Sequence, residues 1–257
     1  MGAAIAAALS ETASGFIYLH LLMKRKLANL REMLRPPCRK SLKPLILGGP
    51  SMLGRQLALN IAFVSAGRRA QSMDPTGVSA AAYGIVMQIY NVGVVMHIAM
   101  QGTAAALIPS TRAKSGRDAA RRVGDRMFAW CSIVGLMLGL TQILALPWLM
   151  PLFSTLPQVQ EAMKAPALIA SLLHFVNGPV FAGEGIMIGL GCYRDLMLVT
   201  TAGVGAMVLG LRSPLGQRLD GILWSFLIFR VIQATAVAVH YLKIGPLSVS
   251  RNRGKLS

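Results

Sequence analysis

The stretch from 75 to 111, PTGVSAAAYGIVMQIYNVGVVMHIAMQGTAAALIPST, runs for 37 residues without an Asp, Glu, Lys or Arg. A helix crosses the hydrocarbon core of a bilayer with about 20 mostly apolar residues, so this run is longer than one crossing needs. Two more charge-free runs follow, 34 residues at 127–160 and 19 at 165–183. Four weaker spans complete the pattern: 3–23, which contains Glu11 and His20; 44–67, interrupted by Arg55; 196–211; and 219–242, with Arg230 near its middle. Seven crossings are therefore expected, at about 3–23, 46–67, 78–107, 127–150, 163–190, 196–212 and 219–242. Lipid offers backbone amides no water, so each crossing should be helical. A membrane barrel would show alternating segments of about ten residues, and these segments do not alternate. The expected fold is an all-α polytopic membrane helix bundle.

Composition excludes the other classes. The 257 residues are 54% apolar and 14% charged, with a mean hydropathy of +0.56. An ordinary soluble domain carries about 25% charged residues, so too few charges are present to cover a water-facing surface. The apolar content is too high for disorder. Three cysteines, Cys38, Cys131 and Cys192, make no disulfide framework and no C-x-x-C pair. A secretory leader has its positive charges before the apolar stretch, whereas here Lys24-Arg25-Lys26 follows it.

The net charge is +17. With seven crossings the connecting segments alternate sides. One side receives 24–45, 108–126, 191–195 and 243–257, which carry 8, 6, 1 and 4 Lys+Arg, nineteen in all. The other side receives five: Arg68, Arg69, Lys164, Arg212 and Arg218. Such a bias is the positive-inside pattern. The pI near 10.9 is thus a topology signal; the basic residues sit between apolar spans without the interleaved aromatics of a nucleic-acid surface, so no nucleic-acid partner is expected. Within KRKLANLREMLRPPCRKSLK (24–43), Leu27, Leu30, Met33 and Leu34 share one face before Pro36-Pro37 stops the helix. It reads equally as a basic amphipathic helix in the headgroup plane or as a solvated linker.

Membrane helices pack through small residues, and Gly135-x-x-x-Gly139 and Gly185-x-x-x-Gly189 have the close-crossing spacing. Met87, Met96 and Met100 are either ordinary packing or the lining of an adaptable apolar cavity. Ionisable groups at membrane depth are costly, roughly 2.5–3.5 kcal/mol on insertion scales, and are functional candidates by default. The candidates are Glu11, Glu184 and Arg230, joined by a polar set on the third span, Gln88, Asn91, His97 and Gln101, expected to share one broad helical face. For each amide an interhelical hydrogen bond is the plainer reading. Should the fifth and seventh spans touch, a Glu184–Arg230 pair is conceivable. No Walker loop, G-x-S-x-G elbow or H-E-x-x-H motif occurs, and His20, His97, His174 and His240 lack ligand spacing. No enzyme, cofactor or metal is expected.

Several segments together resemble the multidrug and toxic compound extrusion (MATE) family, most closely its DinF-like branch with plant and algal plastid members. GAAIAAALSETASGFIYLHLL (2–22) resembles the sixth helix of that branch, with an acid at Glu11. GGPSMLGRQLALNIAF (48–63) resembles the start of the seventh, SAAAYGIVMQIYNVG (79–93) the eighth, and FAGEGIMIGLG (181–191) the tenth, whose acid falls on Glu184. GILWSFLIFRVIQ (221–233) and IGPLSV (244–249) resemble the twelfth helix and the plastid-type end. The match covers about residues 1–246. Tyr83-Gly84, Ile98 and Cys192 depart from it, standing where the branch often has His-Gln and two acids.

The resemblance implies that 1–23 is the last helix of an N-terminal lobe, 24–45 a basic interlobe linker, 46–246 a C-terminal six-helix lobe and 247–257 a basic tail. The first five helices of the N-terminal lobe would then be missing. It also implies a secondary antiporter in a plastid envelope or thylakoid membrane, in contact with membrane lipid. An organic, often cationic substrate would leave against a proton or sodium gradient, with two lobes rocking about a central cavity. Protonating Glu184 or Glu11 would remove the charge that holds such a substrate. Two alternatives stand beside it: a lipid-linked oligosaccharide flippase, which would want cations such as Arg55 and Arg230 in its cavity, and an incomplete or inactive half-transporter that needs a partner chain.

Overall fold

The computed structural model describes residues 2–25 and 39–248. The amphipathic stretch read at 24–43 and the basic tail lie mostly outside them. No strand occurs among the described residues. Six helices do: α1 (Gly2–Lys24), α2 (Arg39–Gln71), α3 (Val78–Phe153), α4 (Pro157–Gly189), α5 (Tyr193–Arg212) and α6 (Leu219–Val239). A 3-10 turn (Pro214–Gln217) joins α5 to α6, and a π-helical turn (His240–Ile244) continues α6. The segments α3, α4, α5 and 219–244 are each long and apolar enough to cross a membrane. The protein is an all-α polytopic membrane helix bundle.

The chain divides into two compact units, Met1–Leu47 and Gly48–Ser257. The first holds α1 and the start of α2. The second holds the rest, and every geometric relation below is within it.

The observed helices cover the expected crossings with one difference. The segment 108–126, expected as a loop, is helical, and α3 runs for 76 residues. It is interrupted at Gly116, whose φ of 82° and ψ of −176° lie in a region that only glycine adopts readily. Two helices thus meet there, 78–115 and 117–153, each containing most of one of the long charge-free runs. The six cations between them are carried on helix ends extended past the apolar runs, because nothing in R-A-K-S or R-D-A-A-R-R breaks a helix except the glycine between.

Close crossings fix how the second unit packs. A Cβ at Gly185 would collide with the Gln101 carbonyl and Ala104, and one at Gly189 with Ala105. A Cβ at Gly135 would collide with the His174 carbonyl and one at Gly178 with that of Cys131. Helix α4 is therefore wedged between the two halves of α3 at near backbone contact, as the two G-x-x-x-G motifs anticipated. The pairing order gives directions. Gly93 meets His174 and Gly185 meets Gln101, so 78–115 runs parallel to α4; Gly139 meets Phe175 and Gly178 meets Cys131, so 117–153 runs antiparallel to it. Helix α2 runs parallel to α5, with Gly48 against Tyr193, Gly54 against Met197 and Arg69 bonded to Gly216 just beyond α5. Helix α6 runs antiparallel to α5, with Gly203 against Phe229 and Gly210 against Ser225. These directions are those of alternating crossings.

The apolar core gathers Ala58, Ala62, Ala66 and Ala70 of α2 with Met207 and Leu211 of α5 and Ile222, Phe226 and Phe229 of α6. Met87 is buried in it, Met100 packs against a second cluster and Met96 is exposed, so the three methionines line no common cavity. Trp130, Trp148, Leu144 and Leu152 point outward and exposed, as lipid-facing side chains must.

Candidate functional site

The carboxylate of Glu184 is fully buried near the C-terminal end of α4. An ionised carboxylate in such a place needs donors on both oxygens, and three helices provide them. Arg55 of α2 reaches Oε2 at 2.7 Å, Gln101 of α3 donates its Nε2 to the same oxygen at 2.7 Å, and Gln233 of α6 donates its Nε2 to Oε1 at 2.9 Å. The Gln233 amide also lies 3.3 Å from the Thr200 hydroxyl of α5, and its own Oε1 accepts from Arg230 at 2.9 Å. Four helices of the bundle thus meet at one carboxylate, and α5 joins them at one remove through Gln233.

The expected Glu184–Arg230 pair does not form. Glu184 pairs with Arg55 instead, and Arg230 is one residue removed, acting through Gln233. The reason is register: Gln233 sits one helical turn beyond Arg230 on the same face of α6 and intercepts the carboxylate. Arg230 is buried with its guanidinium 5.2 Å from the Phe181 ring centroid and 5.0 Å from that of Phe229. Aromatic faces of this kind offset part of the cost of a buried cation.

A second polar group lies along α4. His174 Nε2 is 2.9 Å from Gln142 Oε1, and His174 Nδ1 is 3.3 Å from His97 Nε2. With the amide oxygen as acceptor, His174 carries its proton on Nε2, and His97 donates Nε2–H to Nδ1; the acceptor role follows from the amide orientation. The rings stack in the order Phe181, His97, His174, Tyr90, with centroid separations of 5.5, 5.4 and 5.0 Å. Asn177 donates to the Tyr90 hydroxyl at 2.7 Å. Phe181 touches both groups, through His97 and through Arg230, so they form one continuous buried polar seam.

Of the residues singled out in the sequence, Glu184, Gln101, Arg230 and His97 belong to this seam. Gln88 and Asn91 are exposed, so the four polar residues of the third span do not share one face. The six-residue step from Asn91 to His97 turns the helix to its other side; Tyr90, His97 and Gln101, at spacings of seven and four, are the set that faces inward. Glu11 is exposed on α1, in the first unit. His174, Asn177, Gln142, Thr200 and Gln233 went unnamed as candidates. A signal existed for two of them: His174, Asn177 and Glu184 recur at spacings of three and seven on one face of an otherwise apolar stretch of α4.

One group of metal-ligand type lies elsewhere, where α4 gives way to α5 and the 219–244 helix ends. Cys192, Asp195 and His240 bring ligand atoms within 4.8 Å of one another, with His240 Nε2 at 3.3 Å from Asp195. A structural zinc site takes four ligands with cysteine as thiolate. Here burial, followed by the Asp195 carboxylate, pushes the Cys192 thiol up against a smaller opposing pull from Arg112, which favours the neutral thiol. Three ligands are one short of that set.

No protein-family model and no curated protein sequence matches the chain. Solved structures do. A MOP superfamily transporter from Pyrococcus furiosus Vc1 (DSM3638), described as having a binding pocket of reverse polarity that suggests a different function, superposes with a TM-score of 0.74 at 17% identity, over 82% of this chain and 47% of that one. An outward-facing multidrug resistance MATE family transporter of the same superfamily superposes with a TM-score of 0.74 at 16% identity, over 82% and 48%. The chain spans about half the length of these structures, and at such identity the likeness is one of fold: it has the helical fold of about half of a MOP superfamily transporter.

Proposed function

We propose that this chain forms the C-terminal six-helix lobe, with one further helix before it, of a cation-coupled secondary transporter that moves an organic compound across a membrane. The observation that carries the reading is the Glu184 centre. A carboxylate that holds donors from α2, α3 and α6 at once is a site where one proton changes the contacts of several helices together. When Glu184 takes a proton it loses the charge that pairs with Arg55, and one oxygen becomes a donor facing Arg55, Gln101 or Gln233. The bundle then has to repack. Alternating access requires such a two-state element. A sodium ion would act on the same carboxylate by competing with Arg55. Glu11 joins this proposal as a second acidic candidate on the helix before the lobe. A multidrug efflux role, proton or sodium as coupling ion and a plastid membrane are the finer parts of the same proposal, supported by the family resemblance.

A second reading has its own observation. A half-buried arginine, Arg55, bonds the one buried carboxylate directly and a buried one, Arg230, reaches it through Gln233, so the centre is net positive. The Nε atoms of both arginines have no acceptor among the described residues. That charge balance suits an anionic or phosphate-bearing substrate, as a flippase of related architecture would carry, better than an organic cation.

The test is transport in proteoliposomes under an imposed pH gradient, using ethidium as a cationic probe and carboxyfluorescein as an anionic one. Glu184→Gln should abolish the pH dependence of transport while the protein stays folded. Unchanged pH-dependent transport in this variant would remove Glu184 from the coupling mechanism. Ethidium transport supports the first reading, and carboxyfluorescein transport the second.

A further inference from the structure

Arg68 and Arg69 close the last turn of α2, and Arg212 closes α5. These two parallel helices end side by side, and the three arginines line one open cleft of about 560 Å³ together with Ser65 and Ser72; Val208 and Leu211 supply an apolar wall. Along α2, Arg68 lies thirteen residues beyond Arg55, about 20 Å at 1.5 Å per residue, so the cleft is separate from the Glu184 centre.

The placement of these charges is unusual for their side of the chain. Only five cations belong to the cation-poor set of connections, and three of the five meet in this cleft. The acids near that end are engaged elsewhere. Asp220 pairs with Arg218 at 3.1 Å, Glu161 pairs with Lys164, and Asp74 accepts from the Thr76 hydroxyl and the Val78 and Ser79 amides. Among the described residues none of the three arginines forms a salt bridge. Arg69 is held in place by its Nε, which donates to the Gly216 carbonyl at 2.7 Å. Three like charges are thus gathered on two helix ends without an internal counter-ion, at a Coulomb cost that a bound anion would relieve.

We propose that this cleft is a binding site for a phosphate group. Guanidinium forks match phosphate oxygens in pairs, and Ser65 adds a hydroxyl to the lining, while the Ser72 hydroxyl is donated to the Arg69 carbonyl. The volume exceeds what the anion alone requires, and the Val208–Leu211 wall accommodates an apolar continuation. A phospholipid headgroup and free phosphate share this chemistry, and the experiment separates them.

Purified protein in neutral detergent is titrated with dioctanoyl phosphatidic acid, with uncharged dioctanoylglycerol and with inorganic phosphate, and bound adducts are counted by native mass spectrometry. The expected result is a saturable adduct with phosphatidic acid, none with dioctanoylglycerol, an affinity loss of about tenfold or more in R68Q/R212Q, and no loss in R218Q. Saturation by inorganic phosphate at similar affinity identifies the free ion as sufficient; saturation by phosphatidic acid alone identifies a lipid headgroup. The proposal is overturned if neither phosphate probe saturates the wild-type protein, or if R68Q/R212Q binds as the wild type does. Should R68Q/R212Q not fold, R212Q alone, at an exposed helix end, carries the same expectation of weaker binding and the same power to refute.

Discussion

Removing either partner of the Arg55–Glu184 pair should cost far more than removing both. Arg55 contributes one short charge-assisted bond to Oε2, and Gln101 and Gln233 contribute two neutral donors. In Arg55→Leu the buried carboxylate keeps only the amides; in Glu184→Leu the half-buried Arg55 guanidinium loses its counter-ion while Gln101 and Gln233 lose their acceptor. Breaking a buried pair from one side typically costs about 3–5 kcal/mol, because an uncompensated charge is left behind. At roughly 2–4 °C per kcal/mol for a chain of this size, each single variant should melt about 6–20 °C below wild type in detergent. The double variant Arg55→Leu/Glu184→Leu removes both charges and fills the space with apolar groups. It should cost no more than either single change, giving a coupling energy of about 3–5 kcal/mol. Thermal melts of the four proteins in one detergent close the cycle. Additivity within about 0.5 kcal/mol would refute the reasoning, since it would mean that the two charges do not share a dry environment.

Gly185→Leu should destabilise the bundle by about 1–3 kcal/mol or more through overpacking, because its side chain meets the Gln101 carbonyl and Ala104; a melt at or above wild type contradicts the close crossing. His174→Phe keeps the ring stack but strands Gln142 and His97, at about 1–3 kcal/mol for the unpaired buried groups, and His97→Phe added to it should cost less than the sum. Asp74 is held well below the usual carboxylate range, chiefly by the Ser79 and Thr76 side chains with help from the Ser79 and Val78 amides. Its folded-state value is depressed, so its contribution is present above the ordinary carboxylate value and lost as pH falls below it. The protection factors of the Val78 and Ser79 amides, each taken against its intrinsic exchange rate at the same pH, should therefore fall on moving from pH 7 towards pH 2, and Asp74→Ala should abolish that change; equal protection factors at both pH values contradict the cap.

The fold was largely legible because hydrocarbon imposes a length rule on apolar runs, and the helix positions follow from where Arg, Lys, Asp and Glu are absent. The G-x-x-x-G motifs were legible for a related reason: only glycine lets helix backbones approach so closely. What could not be read was which polar residues meet. That depends on rotational register between helices. Arg55 lies 129 residues from Glu184, and nothing local distinguishes its reach from that of Arg230. The expectation for Gln88 and Asn91 failed within one helix, since spacings that are helical pair by pair were joined across a gap that reverses the face. The helical segment 108–126 was misjudged because a cluster of cations resembles a loop, yet Arg, Lys and Ala are good helix formers and only Gly116 departs from helical geometry.

The most direct test of the membrane arrangement is compartment-specific reporter tagging in the living membrane. Tags placed after Arg25, Ser115 and Lys255 should all report one compartment, and tags inserted after Ser72, Ser154 and Ser213 the opposite one. Tags from the first set landing on different sides, or a chain recovered monodisperse in buffer without detergent, would contradict a bundle whose helices cross the bilayer in alternation around Glu184.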